Sequence, residues 1–181
     1  MSGVGRVIVG TSGSPGSLHA LRYGESLARA HDAVLIPVLA WELPGGDHAE
    51  RIQPSGELRQ VWRSLACQRL RDALVAVWGK DPDDPLVQPH IERGAPGWVL
   101  VNLARQPGDV LVVSAGRRGA LARMVFSRVS RYCLAHAQCP VVAIPPPALV
   151  RELAHGRLAW VFRHRPLTPE QILRDQPKPA T

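Results

Sequence analysis

The sequence predicts an α/β protein whose central sheet is parallel and carries helices on both faces. Five short runs, most of them rich in β-branched residues, alternate with longer segments of helical spacing over residues 1–147. Runs that are apolar throughout are typical of strands buried on both faces. Strict alternation of strands with helices indicates right-handed crossovers between parallel strands.

The first unit of this pattern is a buried strand followed by a capped helix. The strand is predicted at Arg6–Gly10 and its connecting loop at Thr11–Ser17. Ser14 is a preferred N-cap residue, and Pro15 suits the first helical position because its missing N–H is not needed there. Four small or apolar residues then recur at helical spacing, as a buried helix face requires: Ala20, Gly24, Leu27 and Ala28.

The second unit combines a strand that contains a proline with a long helix. Ala33–Trp41 is predicted as the strand, and Pro37 within it indicates a bulge or a break in pairing. Glu42–Glu57 is predicted as a polar loop rich in glycine and proline. The side of the following helix that we expect to be buried consists of Leu58, Trp62, Leu65, Leu70, Ala73 and Val77.

The rest of the alternating pattern supplies three more strands. Leu86–Gly94 contains a proline and is predicted to be an edge strand. A helix is expected to begin near Pro96, a buried strand at Gly108–Gly116, and a last helix and strand within the segment that ends in "CPVVAIPPP". The tryptophans at helical positions are predicted to be core residues: Trp62, Trp78 and Trp98.

Composition and charge narrow the class of protein. No apolar run approaches the ~18 residues of a membrane span, and "VIVG" is too short for the core of a signal peptide, so we expect a cytoplasmic protein without membrane association. The net charge of +7 permits attraction to polyanions. No DNA-binding motif is recognisable, so binding to nucleic acid is not predicted.

Metal binding and catalysis have no specific support in the sequence. Cys133, His136 and Cys139 are spaced as C-x-x-H-x-x-C, but a closed zinc site needs about four ligands and no second Cys/His pair is near. The odd number of cysteines favours reduced, structural thiols. No nucleophile–base pair can be placed from spacing, and Asp109 is expected to be a turn residue rather than a general base. We therefore predict no metal site and no enzymatic activity.

Two loops lie where such sheets bind ligands, beyond the carboxyl ends of the strands. "TSGSPGS" matches neither the dinucleotide-binding nor the P-loop glycine pattern. It is therefore either a nucleotide-facing loop or a plain connection between strand and helix. "AGRRGALAR" is either an anion-binding loop at the start of a helix or a solvated turn.

Two long segments resemble the first and the last βαβ units of universal stress proteins. They are "VIVGTSGSPGSLHALRYGESLARAHDAVLIPVLAW" and "GDVLVVSAGRRGALARMVFSRVSRYCLAHAQCPVVAI", and the resemblance covers residues 5–147. It implies a three-layer sandwich whose five-stranded parallel sheet has the order 3-2-1-4-5, and a homodimer formed through the last strand. In one branch of this family, ATP lies between the first and fourth strands.

The chain departs from the ATP-binding pattern of that branch at most of its defining positions. Ser12 stands at the acidic position after the first strand, and Ser114 and Arg117 stand at the first two glycines. Ser127 and Arg128 stand where the later Gly-Ser pair is expected. Arginine adds bulk where bare backbone would approach a phosphate, yet its guanidinium binds phosphate oxygens well. The crevice is therefore expected to be either blocked or remodelled for a different anion.

These observations predict a universal stress protein-like domain over residues 1–147 and a C-terminal extension, residues 148–181, that packs on the body or on a partner subunit through Leu158–Phe162. The expected function is a regulatory module in stress response that binds ATP, another adenine nucleotide or another phosphate-bearing ligand. The alternative is a dimeric protein–protein interaction module that binds no nucleotide. Carried over by position, the residues near the nucleoside are Thr11, Ser12 and Ala40. Those near the phosphates are Ser114, Arg117, Ser127, Arg128, Val129 and Ser130.

Overall fold

The computed structural model describes residues 3–43, 56–115, 128–145 and 147. The described strands are β1 (Arg6–Gly10), β2 (Val34–Trp41), β3 (His90–Arg93), β4 (Asp109–Ser114) and β5 (Val141–Ile144). The described helices are α1 (Pro15–His31), α2 (Gly56–Trp78), α3 (Pro96–Leu103) and α4 (Arg128–His136). Most of the predicted Glu42–Glu57 loop, residues 116–127 and the whole of 148–181, with Leu158–Phe162, lie outside the described residues.

The strands form one parallel five-stranded sheet in the order β3-β2-β1-β4-β5. Both the predicted fold class and the predicted strand order are confirmed. Because β1 pairs with β2 on one side and with β4 on the other, the chain reverses its direction of winding at β1. The carboxyl ends of β1 and β4 are therefore the place where a crevice opens.

The core has two layers, one on each face of the sheet. Val7 and Val9 of β1 point to the face covered by α1 and α2. Ile8 points to the opposite face, where it packs with Leu100 of α3 and Cys133 of α4. The continuous apolar composition of β1 follows from this arrangement, since every side chain of a strand covered on both faces is removed from water.

The predicted break in pairing at Pro37 is confirmed. β2 pairs with β1 through Pro37 without a bulge, in register with Val9. On the other side, Leu35 exchanges hydrogen bonds with the Leu86–Gln88 segment, and the regular ladder with β3 begins only at Val38. The hydrogen bonds of Leu35 show that odd-numbered residues of β2 direct their backbone groups toward β3. The missing N–H of Pro37 therefore faces the gap between these two stretches of pairing.

Helix α1 lies so close to β1 that only glycine fits at one position of its buried face. A Cβ atom on Gly24 would stand 2.4 Å from Cγ2 of Val9. Ala20 and Ala28 on the same face are also buried, so the predicted face of α1 is confirmed, with Leu27 half-buried at its border. Small residues on this face bring the helix backbone against the sheet.

The predicted buried side of α2 is wrong in its first half. Leu58 and Leu65 are each 47% exposed, whereas Leu70 and Ala73 are buried. The buried stripe also includes Ala66 and Leu74. At ~100° per residue, Leu58 and Leu65 lie roughly 100° or more around the helix from the centre of that stripe. Their apolar character alone therefore gave the wrong prediction of burial.

The prediction that the three helical tryptophans are core residues is wrong for Trp98, which is 51% exposed. The buried face of α3 is formed by Gly97, Val99, Leu100 and Val101, and Trp98 points away from it. Trp62 and Trp78 are half-buried. The indole Nε1 of Trp78 donates a hydrogen bond to Glu25 at 2.8 Å, which satisfies the ring's polar atom.

A partly buried ion pair joins β1 to β4 at the amino ends of these strands. The Arg6 guanidinium donates to both carboxylate oxygens of Asp109, at 2.8 and 2.7 Å. This hydrogen bonding raises the pKa of Arg6. Asp109 also accepts from the backbone N–H of Gln106, so its carboxylate closes a turn, as predicted, at the edge of the sheet opposite the crevice.

Candidate functional site

A crevice of about 290 Å³ opens at the carboxyl ends of the central strands. The described residues that line it are Gly10, Thr11, Ser12, Ser14, Ser17, Val38, Leu39, Ala40, Arg69, Pro96, Leu100, Val113, Ser114 and Val129. They come from the first loop, from the ends of β2 and β4, and from the helices on both faces. The crevice thus occupies the position where ligands bind in open α/β sheets.

One wall of the crevice is apolar. It is formed by the end of β2, from Val38 to Ala40, together with Pro96 and Leu100 of α3. Val38, Leu39 and Leu100 are buried, and Ala40 is half-buried. A wall of this kind is suited to an apolar or aromatic part of a ligand.

The hydroxyl groups of the first loop lie beside the end of β2, where the backbone N–H of Thr11 donates to the Val38 carbonyl at 2.8 Å. Ser14 caps α1, its Oγ accepting from the backbone N–H of Ser17 at 3.3 Å. Ser17 in turn donates to the carbonyl of Ser14 and accepts from the backbone N–H of Ser12. Ser12 Oγ lies 3.1 Å from Ser14 Oγ. The predicted cap and the Pro15 position are confirmed, and the loop satisfies much of its own hydrogen bonding.

The end of β4 meets the first turn of α1 at close range. A Cβ atom on Gly16 would stand 2.6 Å from Oγ of Ser114, so a side chain at residue 16 would displace the Ser114 hydroxyl. Behind Ser114, the hydroxyl of Ser130 donates to the Ser114 carbonyl at 2.7 Å and is fully buried. Ser130 therefore holds α4 against the end of β4 in this structure.

The nine predicted site residues fall into three groups. Five of them line the crevice together: Thr11, Ser12, Ala40, Ser114 and Val129. Arg128, which is exposed at the start of α4, and Ser130, which is buried, are not among the described lining residues. Arg117 and Ser127 lie outside the described part of the chain.

Arg69 is a lining residue that the sequence did not reveal. It is exposed on α2, next to the buried Leu70. A Cβ atom on Gly13 would stand 3.7 Å from Cγ of Arg69, so the arginine side chain runs beside the first loop. The signal that would have found it is its place at the border of the buried stripe of α2, from which a long side chain reaches the sheet edge.

Arg69 supplies the formal charge among the described residues of the crevice walls, which otherwise carry hydroxyl and apolar groups. No hydrogen bond or ion pair joins Arg69 to another described residue. This composition gives that part of the crevice a positive character and makes it suited to an anion.

The thiols with perturbed ionisation lie away from these walls. Burial raises the pKa of the Cys133 thiol from 9.0 to about 11. Burial, followed by the negative charge of Asp109, raises the pKa of Cys139. Neither cysteine is among the described lining residues.

Two kinds of feature are absent from the described residues. No group of three or more His, Cys, Asp or Glu side chains is arranged there to hold a metal ion. None of the helices in the described ranges is both long enough and apolar enough to span a membrane.

Comparison with known proteins identifies the fold and the family. A curated universal stress protein of Mycolicibacterium smegmatis is 30% identical over 144 residues, which are 77% of this chain and 45% of the relative. The chain thus spans less than half the length of that relative.

Solved structures agree with this comparison. UspA from Lactobacillus plantarum is 20% identical, with a TM-score of 0.57 over 80% of this chain and 99% of the other. A universal stress protein solved in complex with cAMP is 24% identical, with a TM-score of 0.50 over 79% and 98%. The sequence profile of the universal stress protein family matches residues 3–145, which include all nine described strands and helices, and the chain belongs to that family.

Proposed function

We propose that this chain is a regulatory binding module of the stress response whose crevice holds an adenine nucleotide. The observation that carries the proposal is the crevice at the carboxyl ends of β1 and β4, which combines apolar and hydroxyl-bearing surface. Its apolar wall, Val38–Ala40 with Pro96 and Leu100, suits the face of a purine. Its hydroxyl wall and Arg69 suit the ribose and a phosphate.

The relative solved in complex with cAMP supports this choice of ligand class. Its fold is that of the present chain, and the crevice described above offers both an apolar and a positively charged surface. A nucleotide with one phosphate is the best match, because a single guanidinium forms a bidentate pair with one phosphate group.

We further propose that the nucleotide is bound and not turned over. General acid–base chemistry needs a titratable group within hydrogen-bond reach of the reacting atom. Of the residues described along the walls of the crevice, none is an aspartate, glutamate, histidine, lysine or cysteine. We therefore expect that the protein responds to whether a nucleotide occupies the crevice.

The second candidate is a dimeric interaction module without a nucleotide. The observation that favours it is the self-contained hydrogen bonding of the first loop, in which Ser12, Ser14 and Ser17 bond one another. β5 lies at an edge of the sheet, where a second copy can pair with it. Under this alternative, the edge and not the crevice is the functional surface.

Calorimetric titration of the full chain, freed of nucleotide, distinguishes the two candidates. We expect cAMP, AMP or ATP to bind to the wild type and binding to be lost in Ala40→Phe, which fills the apolar side of the crevice. Ala30→Phe is the matched control, because Ala30 is exposed on α1 and does not line the crevice. Absence of heat with all three nucleotides would support the interaction module instead.

A further inference from the structure

We infer that Arg69 is the specificity-determining cation of the crevice, and that it places the phosphate of a nucleoside monophosphate beside the first loop at the start of α1. This inference rests on the proposed function and specifies which end of the crevice holds the negative charge. It assigns that role to a residue of α2 rather than to the arginines between β4 and α4.

Part of the backbone of the first loop is already hydrogen-bonded. The N–H of Ser12 donates to Ser17 Oγ, the N–H of Ser17 to Ser14 Oγ, and the N–H of Leu18 to the Ser14 carbonyl. Pro15 has no N–H. The N–H groups of Gly13, Ser14 and Gly16 donate to no described residue, so some backbone amides remain for an anion. A strong preference for a charged over a neutral ligand requires, in addition, a full positive charge.

Arg69 meets that requirement by its position. Its Cγ lies close to Gly13, between Ser12 and Ser14, and the side chain lines the same crevice as their hydroxyls. No partner among the described residues engages the guanidinium. A planar guanidinium of this kind forms two parallel hydrogen bonds with a phosphate, which makes the pair stronger than a neutral contact.

The neighbouring hydroxyls complete the subsite. Ser12 and Ser14 are exposed at the mouth of the crevice, and a hydroxyl rotates freely enough to donate to a ligand in place of its neighbour. The amino end of α1, a helix of 17 residues, adds a partial positive charge. The apolar residues of the same crevice, such as Pro96 and Leu100 of α3, provide a surface for the base of the same nucleotide.

The proposed phosphate position is opposed to the one expected from the later loop. Arg128 stands at the first residue of α4, is exposed, and does not belong to the described lining of the crevice. If the phosphate lay at that end, Arg69→Gln would leave the preference for charged ligands unchanged. The effect of Arg69→Gln therefore decides between the two positions, and Arg128→Gln tests the arginine that begins α4.

The experiment is a calorimetric titration of AMP and of adenosine into the full chain and three variants, Arg69→Gln, Arg128→Gln and Arg63→Gln. Arg63 is the matched control, because it is exposed on the same helix and does not line the crevice. We expect the wild type to bind AMP about tenfold more tightly than adenosine, the ratio that one charge-assisted pair gives. Arg69→Gln is expected to abolish that ratio while retaining the affinity for adenosine, and the other two variants are expected to keep it.

Retention of the AMP-to-adenosine ratio in Arg69→Gln would refute this inference. Loss of the ratio in Arg128→Gln but not in Arg69→Gln would place the phosphate at α4 and refute this inference. Equal binding of AMP and adenosine to the wild type would also refute it, while the proposed function would stand. Failure of the wild type to bind either compound would refute this inference, and failure to bind cAMP and ATP as well would refute the proposed function. An unchanged melting temperature in Arg69→Gln is the check that the variant is folded.

Discussion

At the scale of single residues, burial sets the chemistry of Cys133. Its side chain is fully buried in the layer beneath α3 and α4, and burial raises the pKa of the thiol from 9.0 to about 11. Burial favours the neutral, protonated form. The unfolded chain therefore releases this proton at a lower pH than the folded chain does.

The sign of the pH dependence follows from that difference. The full stabilising contribution of Cys133 is present below about pH 9, and it is lost as the pH rises toward about 11. We expect the free energy of unfolding to fall by about 1 to 3 kcal/mol across this window, as a shift of this size implies. Cys133→Ala should remove that part of the slope.

Urea unfolding at several pH values measures this prediction. Cys67→Ala is the matched control, because Cys67 is exposed on α2 and should leave the slope as in the wild type. Equal slopes in the wild type and Cys133→Ala would show that other groups produce the alkaline loss of stability.

At the scale of elements, α2 shows that an apolar side chain on a helix is not always buried. Leu70 is 4% exposed and packs in the layer of α1 and α2, whereas Leu65, one and a half turns earlier, is 47% exposed. Leu70→Ala should lower the free energy of unfolding by about 2 to 5 kcal/mol, the range for removing a buried leucine side chain. Leu65→Ala should change it by only about 0.5 kcal/mol.

Chemical denaturation of the two alanine variants compares the same substitution on the same helix. Similar losses for both would mean that Leu65 is covered in solution by a second molecule or by another part of the chain. Such a result would identify the exposed stripe of α2, which includes Leu58 and Val61, as an interface.

Particular residues show why the sequence predicts the helices and strands better than it predicts the candidate site. Local chemistry was sufficient for the start of α1, because the Ser14 cap and Pro15 act within one turn. The sequence also predicts the break in pairing at Pro37, since a missing N–H has a local consequence. It does not predict that Arg69 lines the crevice, because the approach of Arg69 to Gly13 joins residues far apart in the chain. Trp98 was misplaced because size and apolarity do not say which side of α3 meets the sheet.

At the scale of the whole molecule, the sheet leaves β3 and β5 as its two edges. β3 has four residues and is half-exposed, with charged side chains at Glu92 and Arg93. β5 is also short, but it carries Val141, Val142 and Ala143, all half-buried. Charged side chains protect an edge against pairing. β5 is therefore the edge at which we expect a second copy to pair.

The sequence of residues 148–181 contains several large apolar residues. Leu158, Trp160 and Phe162 form an apolar group that an aqueous surface does not favour, and we expect it to pack on the body or on a partner subunit. Removing residues 148–181 should therefore lower the melting temperature or shift the balance between monomer and dimer. Light scattering after size exclusion and a thermal melt measure both quantities.

The full-length double substitution Trp160→Ser and Phe162→Ser is the sharper variant, because it keeps the chain length and alters only the apolar group. An unchanged melt and an unchanged oligomer in both proteins would show that these aromatic residues have no packing partner in the isolated protein.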